Sequence, residues 1–329
     1  MTNQVSPFRR PSLRNVGSLW LMWLAVPLFA GSVAIGGGAQ KPSLKDALAA
    51  LQIPPPWLES VSPDFDTSQP WNKAWDRIEV LLFTADPANL KKAVKLAYVY
   101  QRDGRAREGQ PARVYFLAGE YAWALVEHEK LAKKNSGVCA NIASCYRHFG
   151  EHHKALDALA EGLKSLPEPP WTSFAEAGIL AARGDVYADQ GDTPKAREAY
   201  QQAIQRYEGS QVPQDSRLLL RRSIERVEAR LEWLERAAVT SAQLKDGTYA
   251  GTAFGYSDNI LARVTIERGK IADIQLDHKE KADLGARRTL PERILAKQSL
   301  EIDGITGATV TSQAIGTAVF RALKKAAGL

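Results

Sequence analysis

The chain has 329 residues, is 45% hydrophobic and 24% charged, and carries 43 Lys+Arg against 37 Asp+Glu for a net charge of +6. That composition excludes a disordered or fibrous chain and leaves room for two domains beyond any targeting segment. Basic and acidic residues are interspersed and no nucleic-acid motif is present, so the charge fits ordinary solubility and some attraction to an anionic membrane, and nucleic acid is excluded as a partner.

At the amino end, Arg9, Arg10 and Arg14 precede an uncharged stretch from Asn15 to Gln40. Val16 to Ile35 is long enough, as a helix, to cross the roughly 30 Å of a bilayer's hydrocarbon. Arginines before this run and none directly after it put the amino terminus in the cytoplasm and the rest of the chain outside. Gly37-Gly38-Ala39 offers small residues for cleavage, so residues 1–40 read either as a retained anchor or as a signal peptide. Arg9-Arg10-Pro11-Ser12-Leu13-Arg14 is similar to a twin-arginine export signal, without its usual aromatic. Every version predicts a membrane-anchored or exported protein whose soluble part is extracytoplasmic, as in a periplasm.

Residues 41–88 form a helical, proline-rich link in which Trp57, Trp71 and Trp75 flank Pro54 to Pro70 and are expected to pack on a helical layer. Residues 89–239 carry a repeat. Gly184, Tyr187, Gly191, Ala196, Tyr200 and Ala203 stand at spacings 3, 4, 5, 4 and 3, and Ala143, Tyr146, Gly150, Ala155, Leu159 and Gly162 repeat them, with Pro167 where a helix should end. Small residues at those places let paired helices approach while the aromatic fills the opposite hole. This pattern resembles the tetratricopeptide repeat, with insertions such as Pro167-Glu168-Pro169-Pro170 between copies. A third, degenerate copy is read in Ala97, Tyr100 and Gly104, after which Ala112 to Lys134 is expected as one long helix. Ser216 to Ala238 reads as a charged helix capping the stack.

His148, His152 and His153 straddle Gly150, the turn between two repeat helices, so they read as a solvated turn, and no metal ligands are assigned. Cys139 and Cys145, six residues apart on one helix, would lie about 9 Å apart, beyond disulfide reach. They read as plain thiols.

Residues 240–329 change character. Asp246-Gly247-Thr248-Tyr249-Ala250-Gly251-Thr252-Ala253-Phe254-Gly255-Tyr256 is a glycine-punctuated strand and Ser257-Asp258-Asn259 a turn. Ile260 to Glu267 alternates as a second strand, Arg268-Gly269-Lys270 turns the chain, and Ile271 to Leu276 gives a third. Further on, Asp303-Gly304-Ile305-Thr306-Gly307-Ala308-Thr309-Val310-Thr311-Ser312 leads into a run whose Ile315, Ala318, Val319, Ala322, Leu323 and Ala326 form an amphipathic helical stripe. Thr311 or Ser312 is the expected N-cap, Lys324 and Lys325 suit the last turn, and Gly328 the stop. Thr309 then sits at the positive end of a helix, which favours a phosphate.

These residues are similar to the FMN-binding domain found in the sodium-pumping NADH:quinone oxidoreductase, in RNF electron-transport complexes and in the nitrous oxide reductase regulatory proteins. The resemblance runs from about residue 243 to the end through the Asp-Gly-Thr-Tyr-x-Gly opening, the Gly255-Tyr256 pair, the Gly269-Lys270-Ile271 hairpin, Gln298-Ser299, Asp303 and Thr306-Gly307-Ala308-Thr309. It departs from the family at Glu280 to Gly285, where many members have Glu-Thr-Pro-Gly-x-Gly. The resemblance implies FMN held by a phosphoester to Thr309, installed outside the cytoplasm by a flavin transferase from FAD with a magnesium ion. No histidine lies near Thr309 in sequence, which fits a base and metal supplied by that enzyme.

The cofactor-binding set is thus Asp303, Thr306, Gly307, Ala308, Thr309, Thr311 and Ser312, with Gly255 and Tyr256, and no catalytic residue is assigned. Arg287 and Arg288 read as a solvated helix face. The fold class expected is all-α tetratricopeptide-like repeats followed by a small α+β FMN-binding domain, behind an N-terminal signal or transmembrane helix. The function expected is an extracytoplasmic electron relay through covalent FMN, with the repeats docking a redox protein. The alternatives are a non-covalent FMN-dependent reductase and a repeat scaffold with a vestigial flavin domain.

Overall fold

The computed structural model describes residues 42–84, 86–235, 239–255, 258–279, 286–300 and 309–329, with side chains for all of these except 83, 84, 309 and 310. The apolar run Val16–Ile35, Tyr256, the segment from Glu280 to Gly285, and Asp303, Thr306, Gly307 and Ala308 lie outside the described residues. Among the described residues no helix is long and apolar enough to cross a membrane.

Helices come first: α1 (Leu44–Ala49), α2 (Trp71–Thr84), α3 (Pro87–Arg102), α4 (Gln110–Leu117), α5 (Tyr121–Glu129), α6 (Ser136–His148), α7 (His152–Lys164), α8 (Thr172–Asp189), α9 (Thr193–Glu208) and α10 (Arg217–Trp233). Chain neighbours pack as hairpins, α2 on α3, α4 on α5, α6 on α7 and α8 on α9, with α10 against α9. Trp71 packs beside Trp75 and Tyr100, at ring separations of 5.7 and 5.4 Å, so these tryptophans serve the helical layer.

One device ends a helix four times over. Gly104, Gly119, Gly150 and Gly191 all take left-handed backbone, φ 65 to 88°. In each case the residue after the glycine donates its N–H to the carbonyl of a tyrosine four residues before that glycine: Tyr100, Tyr115, Tyr146 and Tyr187. This Schellman closure satisfies carbonyls that a helix end leaves open, and it needs a residue without a Cβ at the left-handed position.

Two expectations are corrected by it. Ala112 to Lys134 is not one helix, because Gly119 breaks it into α4 and α5. The third repeat copy is Ala112, Tyr115, Gly119, Ala124, His128 and Leu131, which keeps the spacings 3, 4, 5, 4 and 3. Ala97, Tyr100 and Gly104 share only the helix stop, since α3 is the second helix of its hairpin.

The repeat interior is tight where small residues stand. A Cβ on Gly184 would lie 2.4 Å from the Tyr200 ring, and one on Gly162 would lie 2.8 Å from Ile179. Between the hairpins Asp185, only 2% exposed, accepts from Tyr200 Oη at 2.9 Å and pairs with Arg147 at 3.4 Å and Arg230 at 3.2 Å. Arg147 also pairs with Asp189. Burial alone would lower the Arg147 guanidinium, but Asp185 and Asp189 lift it above its usual value. Cys139 and Cys145 are buried free thiols, His153 is exposed beside Asp157, and His148 lies 4.2 Å from the Tyr121 ring.

The C-terminal unit holds β1 (Gly247–Phe254), β2 (Asn259–Glu267), β3 (Lys270–His278), α11 (Ala286–Lys297) and α12 (Thr309–Ala327). The strands form an antiparallel sheet in the order β1-β2-β3. Ile260, Ala262, Val264 and Ile266 face the core, as the alternation predicts. Arg268 and Gly269, at φ 54 and 71°, make the two-residue turn between β2 and β3, a geometry that matches strand twist. The register then shifts, pairing Ile266 with Ile271 and Thr265 with Asp273, so the extra residue Ala272 lets both Ile271 and Ile274 point inward.

Side chains occupy part of both sheet edges, which blunts them as templates for stray pairing. The Gln298 amide donates to Ile271 O at 2.9 Å and accepts from Ile271 N at 2.8 Å on the β3 edge. On the β1 edge, Lys325 and Arg321 donate to Ala250 O and Thr252 O, at 2.6 and 2.8 Å.

Helix α12 buries its expected stripe of Ile315, Ala318, Val319, Ala322, Leu323 and Ala326. It also buries Phe320, whose ring sits 5.4 Å from Trp233 of α10. The helix is therefore clamped between the sheet and the last helix of the repeat stack. On the sheet side the approach is so close that a Cβ on Gly251 would lie 2.0 Å from Ala318 O and 2.6 Å from Ala322 N.

Candidate functional site at the amino end of the last helix

Successive contacts fix how α12 lies on β1. Lys245 N donates to Ala326 O, Lys325 reaches Ala250 O, Gly251 touches Ala318 and Ala322, and Arg321 reaches Thr252 O. Strand numbers rise as helix numbers fall, so the two run antiparallel. The end of β1, the start of β2 and the end of β3 therefore share one end of the sheet with the amino end of α12.

Gly255 belongs to that end. It follows β1 and donates its N–H to Asp258 O at 2.8 Å, closing the turn into β2. Thr309 is the first residue of α12. This corrects the capping expectation: Thr311 and Ser312 lie inside the first turn, 2% and 4% exposed, and the helix opens before them. The apolar stripe behind them holds the backbone helical from Thr309 onward, and packing outweighs the local preference of hydroxyl residues for a cap. Arg287 and Arg288 are exposed on α11.

Four polar residues are buried in the opening turns of α12, Thr311, Ser312, Gln313 at 7% and Thr317 at 9% exposure. Gln313 Oε1 is buried and accepts no hydrogen bond among the described residues. A buried orphan acceptor beside the positive end of a helix is the chemistry of a site that takes an anion carrying hydroxyl or N–H donors. A phosphorylated, polyhydroxylated cofactor has both groups, and the residues present fit it.

Comparison with known proteins agrees. Residues 255–324 match the FMN-binding domain family, and residues 112–228 match the tetratricopeptide repeat-like domain family. The chain carries an FMN-binding domain behind tetratricopeptide-like repeats. It is a flavoprotein. Over 89 residues the chain is 35% identical to an NADH:acrylate oxidoreductase of Vibrio harveyi, a match covering 26% of this chain and 9% of that one. Over 114 residues it is 30% identical to a Photosystem I assembly protein of Cyanophora paradoxa, covering 35% of this chain and 65% of that protein. The chain thus spans less than two thirds of the length of either relative. No solved structure matches it.

Two residues of the quoted motifs hold the sheet together by their side chains, a task the motifs alone do not reveal. Asp246, of the Asp-Gly-Thr-Tyr opening, accepts from Gly269 N at 3.3 Å, so one motif holds the hairpin of another. Gln298 does the same for Ile271. Gln313 carries a sequence signal in hindsight, a long polar side chain directly before an apolar helical stripe and four residues after Thr309.

Proposed function

We propose that this protein is an extracytoplasmic electron carrier whose FMN is joined by a phosphoester to Thr309. The observation that carries the reading is Thr309 itself, the last residue of the Thr306-Gly307-Ala308-Thr309 motif and the first residue of a buried helix within the matched flavin domain. FMN, when bound, passes one or two electrons, and the protein's part is to tether the ring and tune its potential. The Thr309 hydroxyl forms a bond to the FMN phosphorus of FAD as the phosphoanhydride breaks, AMP leaving and the hydroxyl proton passing to a base of the flavin transferase. The positive end of α12 favours the resulting phosphodiester.

The apolar run Val16–Ile35 behind Arg9, Arg10 and Arg14 supports a membrane-attached or exported chain. The repeats support docking of a redox protein, with one end of their stack already taken by the flavin domain. The oxidoreductase relative shares a segment covering only 9% of its own length, so that protein's substrates stay with that protein, and the flavin rests on the matched FMN-binding domain.

Mass spectrometry of full-length protein coexpressed with a flavin transferase tests this. The peptide containing Thr309 should gain the mass of FMN less water, and Thr309→Ala should lose it. Flavin bound without added mass, with turnover of a substrate, would replace the reading by a non-covalent reductase.

A further inference from the structure

We infer that Gln313 is a flavin contact, its side-chain carbonyl accepting a hydrogen bond from a ribityl hydroxyl of the FMN carried on Thr309. The inference rests on the phosphoester reading and goes beyond the attachment motif to a residue outside it. Gln313 is 7% exposed and its Oε1 has no hydrogen-bond partner among the described residues. Buried side-chain carbonyls are nearly always satisfied, so an orphan one marks a partner that arrives later.

Helix geometry says where that partner is. Residues four apart share a helix face, and at 1.5 Å per residue Gln313 lies about 6 Å along the axis from Thr309. Side chains on a helix lean toward its amino end, which carries the Gln313 carboxamide back over the turn that Thr309 begins. A phosphate on Thr309 is followed, going away from the attachment point, by the ribityl chain and its hydroxyls. The ring N3–H lies at the far end of the cofactor. An acceptor one turn from the phosphate therefore meets hydroxyl donors first, and a carbonyl oxygen is the complement that a hydroxyl needs. A phosphate oxygen could not fill this role, because it has no proton to give.

Met at this position keeps the length and removes the acceptor. If Gln313 waits for the flavin, Gln313→Met should leave the unflavinylated protein unchanged or raise its Tm by about 2–4 °C, since the orphan is gone. The same change should cut the Tm gained on flavinylation by about 2–4 °C, since the new hydrogen bond cannot form. The measurement is Tm of the full chain with and without the flavin transferase, for wild type and Gln313→Met, with occupancy read by mass. Gln313→Asn, which keeps the amide but withdraws it by one methylene, gives the same comparison where Met fails to fold. An equal Tm shift in both forms overturns the contact and leaves the phosphoester reading intact. A wild-type protein that carries no FMN on Thr309 and takes up none from solution overturns both.

Discussion

Arg321 on α12 and Glu232 on α10 form a forked ion pair that joins the flavin domain to the repeat stack. Arg321 Nε lies 3.1 and 3.0 Å from the two carboxylate oxygens, and Nη1 donates to Thr252 O on the edge of β1. One guanidinium thus bridges α10, α12 and the sheet. Lys324 repeats the link to Glu235 at 3.2 Å, and Phe320 packs on Trp233 beside it.

Arg321→Ala should therefore act on both domains. The pair is only partly shielded, with side-chain exposures of 25% and 28%, so the loss should be about 1–2 kcal/mol, most of it from the forked geometry and the edge carbonyl. Hydrogen exchange is the sensitive check: amides of β1, of α12 near Phe320 and of α10 near Trp233 should exchange faster together. Acceleration confined to α12 would show that the guanidinium does not couple the layers.

Gly251→Ala tests the tightest surroundings of any glycine among the described residues. The added methyl would stand 2.0 Å from Ala318 O and 2.6 Å from Ala322 N, both backbone atoms that cannot rotate away. Helix and sheet must separate, at about 3 kcal/mol or more. Far-UV circular dichroism should show the flavin domain melting ahead of the repeats, and flavin occupancy should fall. An unshifted melting curve would mean that the strand yields easily.

What the sequence revealed divides along the range of the interactions. The strand alternation at Ile260–Ile266, the Gly269 turn and the α12 stripe are local patterns, and each was readable. The repeat at Ala112 to Leu131 has the same spacing as its neighbours but is hidden by its chemistry. His128 stands where the later copies have Leu159 and Tyr200, and Gly119 does not look like a break inside a run of good helix formers. Gly104 after Tyr100 drew the phase to the wrong helix, because helix stops repeat on both helices of a hairpin. The second buried face of α12 was not legible at all, since Phe320 finds Trp233 from another domain and no local spacing records that. At the site, the motif points to Thr309, but only packing reveals that Gln313 buries an oxygen that no described residue uses.

Stability should depend on His128, which is 1% exposed. Burial, then the cation of Arg113, hold its imidazole down to about 4 from 6.5. Between those values the unfolded chain binds the proton and the folded chain does not, so this contribution is complete above pH 6.5 and is lost as pH falls toward about 4. The shift corresponds to about 3 kcal/mol. Glu79 and Glu120, raised chiefly by burial, slope the other way, because the folded state there holds the proton longer. Comparing wild type with His128→Leu isolates the histidine. In urea titrations at pH 7 and pH 4.5, the wild type should lose stability relative to the variant on acidification, and parallel pH profiles would refute the assignment.

Asp185 is the hub on which the repeat interior depends. Its carboxylate sits between Arg147 and Arg230, whose side chains are each 8% exposed, and it also takes the Tyr200 hydroxyl. Asp185→Ala leaves Arg230 buried without that carboxylate and leaves Arg147 with Asp189. Removing one member of a buried pair costs about 3–5 kcal/mol, mainly because the remaining charge stays desolvated. Tyr200→Phe removes a single hydrogen bond and should cost about 1–2 kcal/mol. The two losses should not add, since the tyrosine's bond has no acceptor once Asp185 is gone, and the double variant should be no worse than Asp185→Ala alone. Denaturant unfolding of the three variants decides it. Strict additivity would mean that the two side chains act independently and that the network is only a set of neighbours.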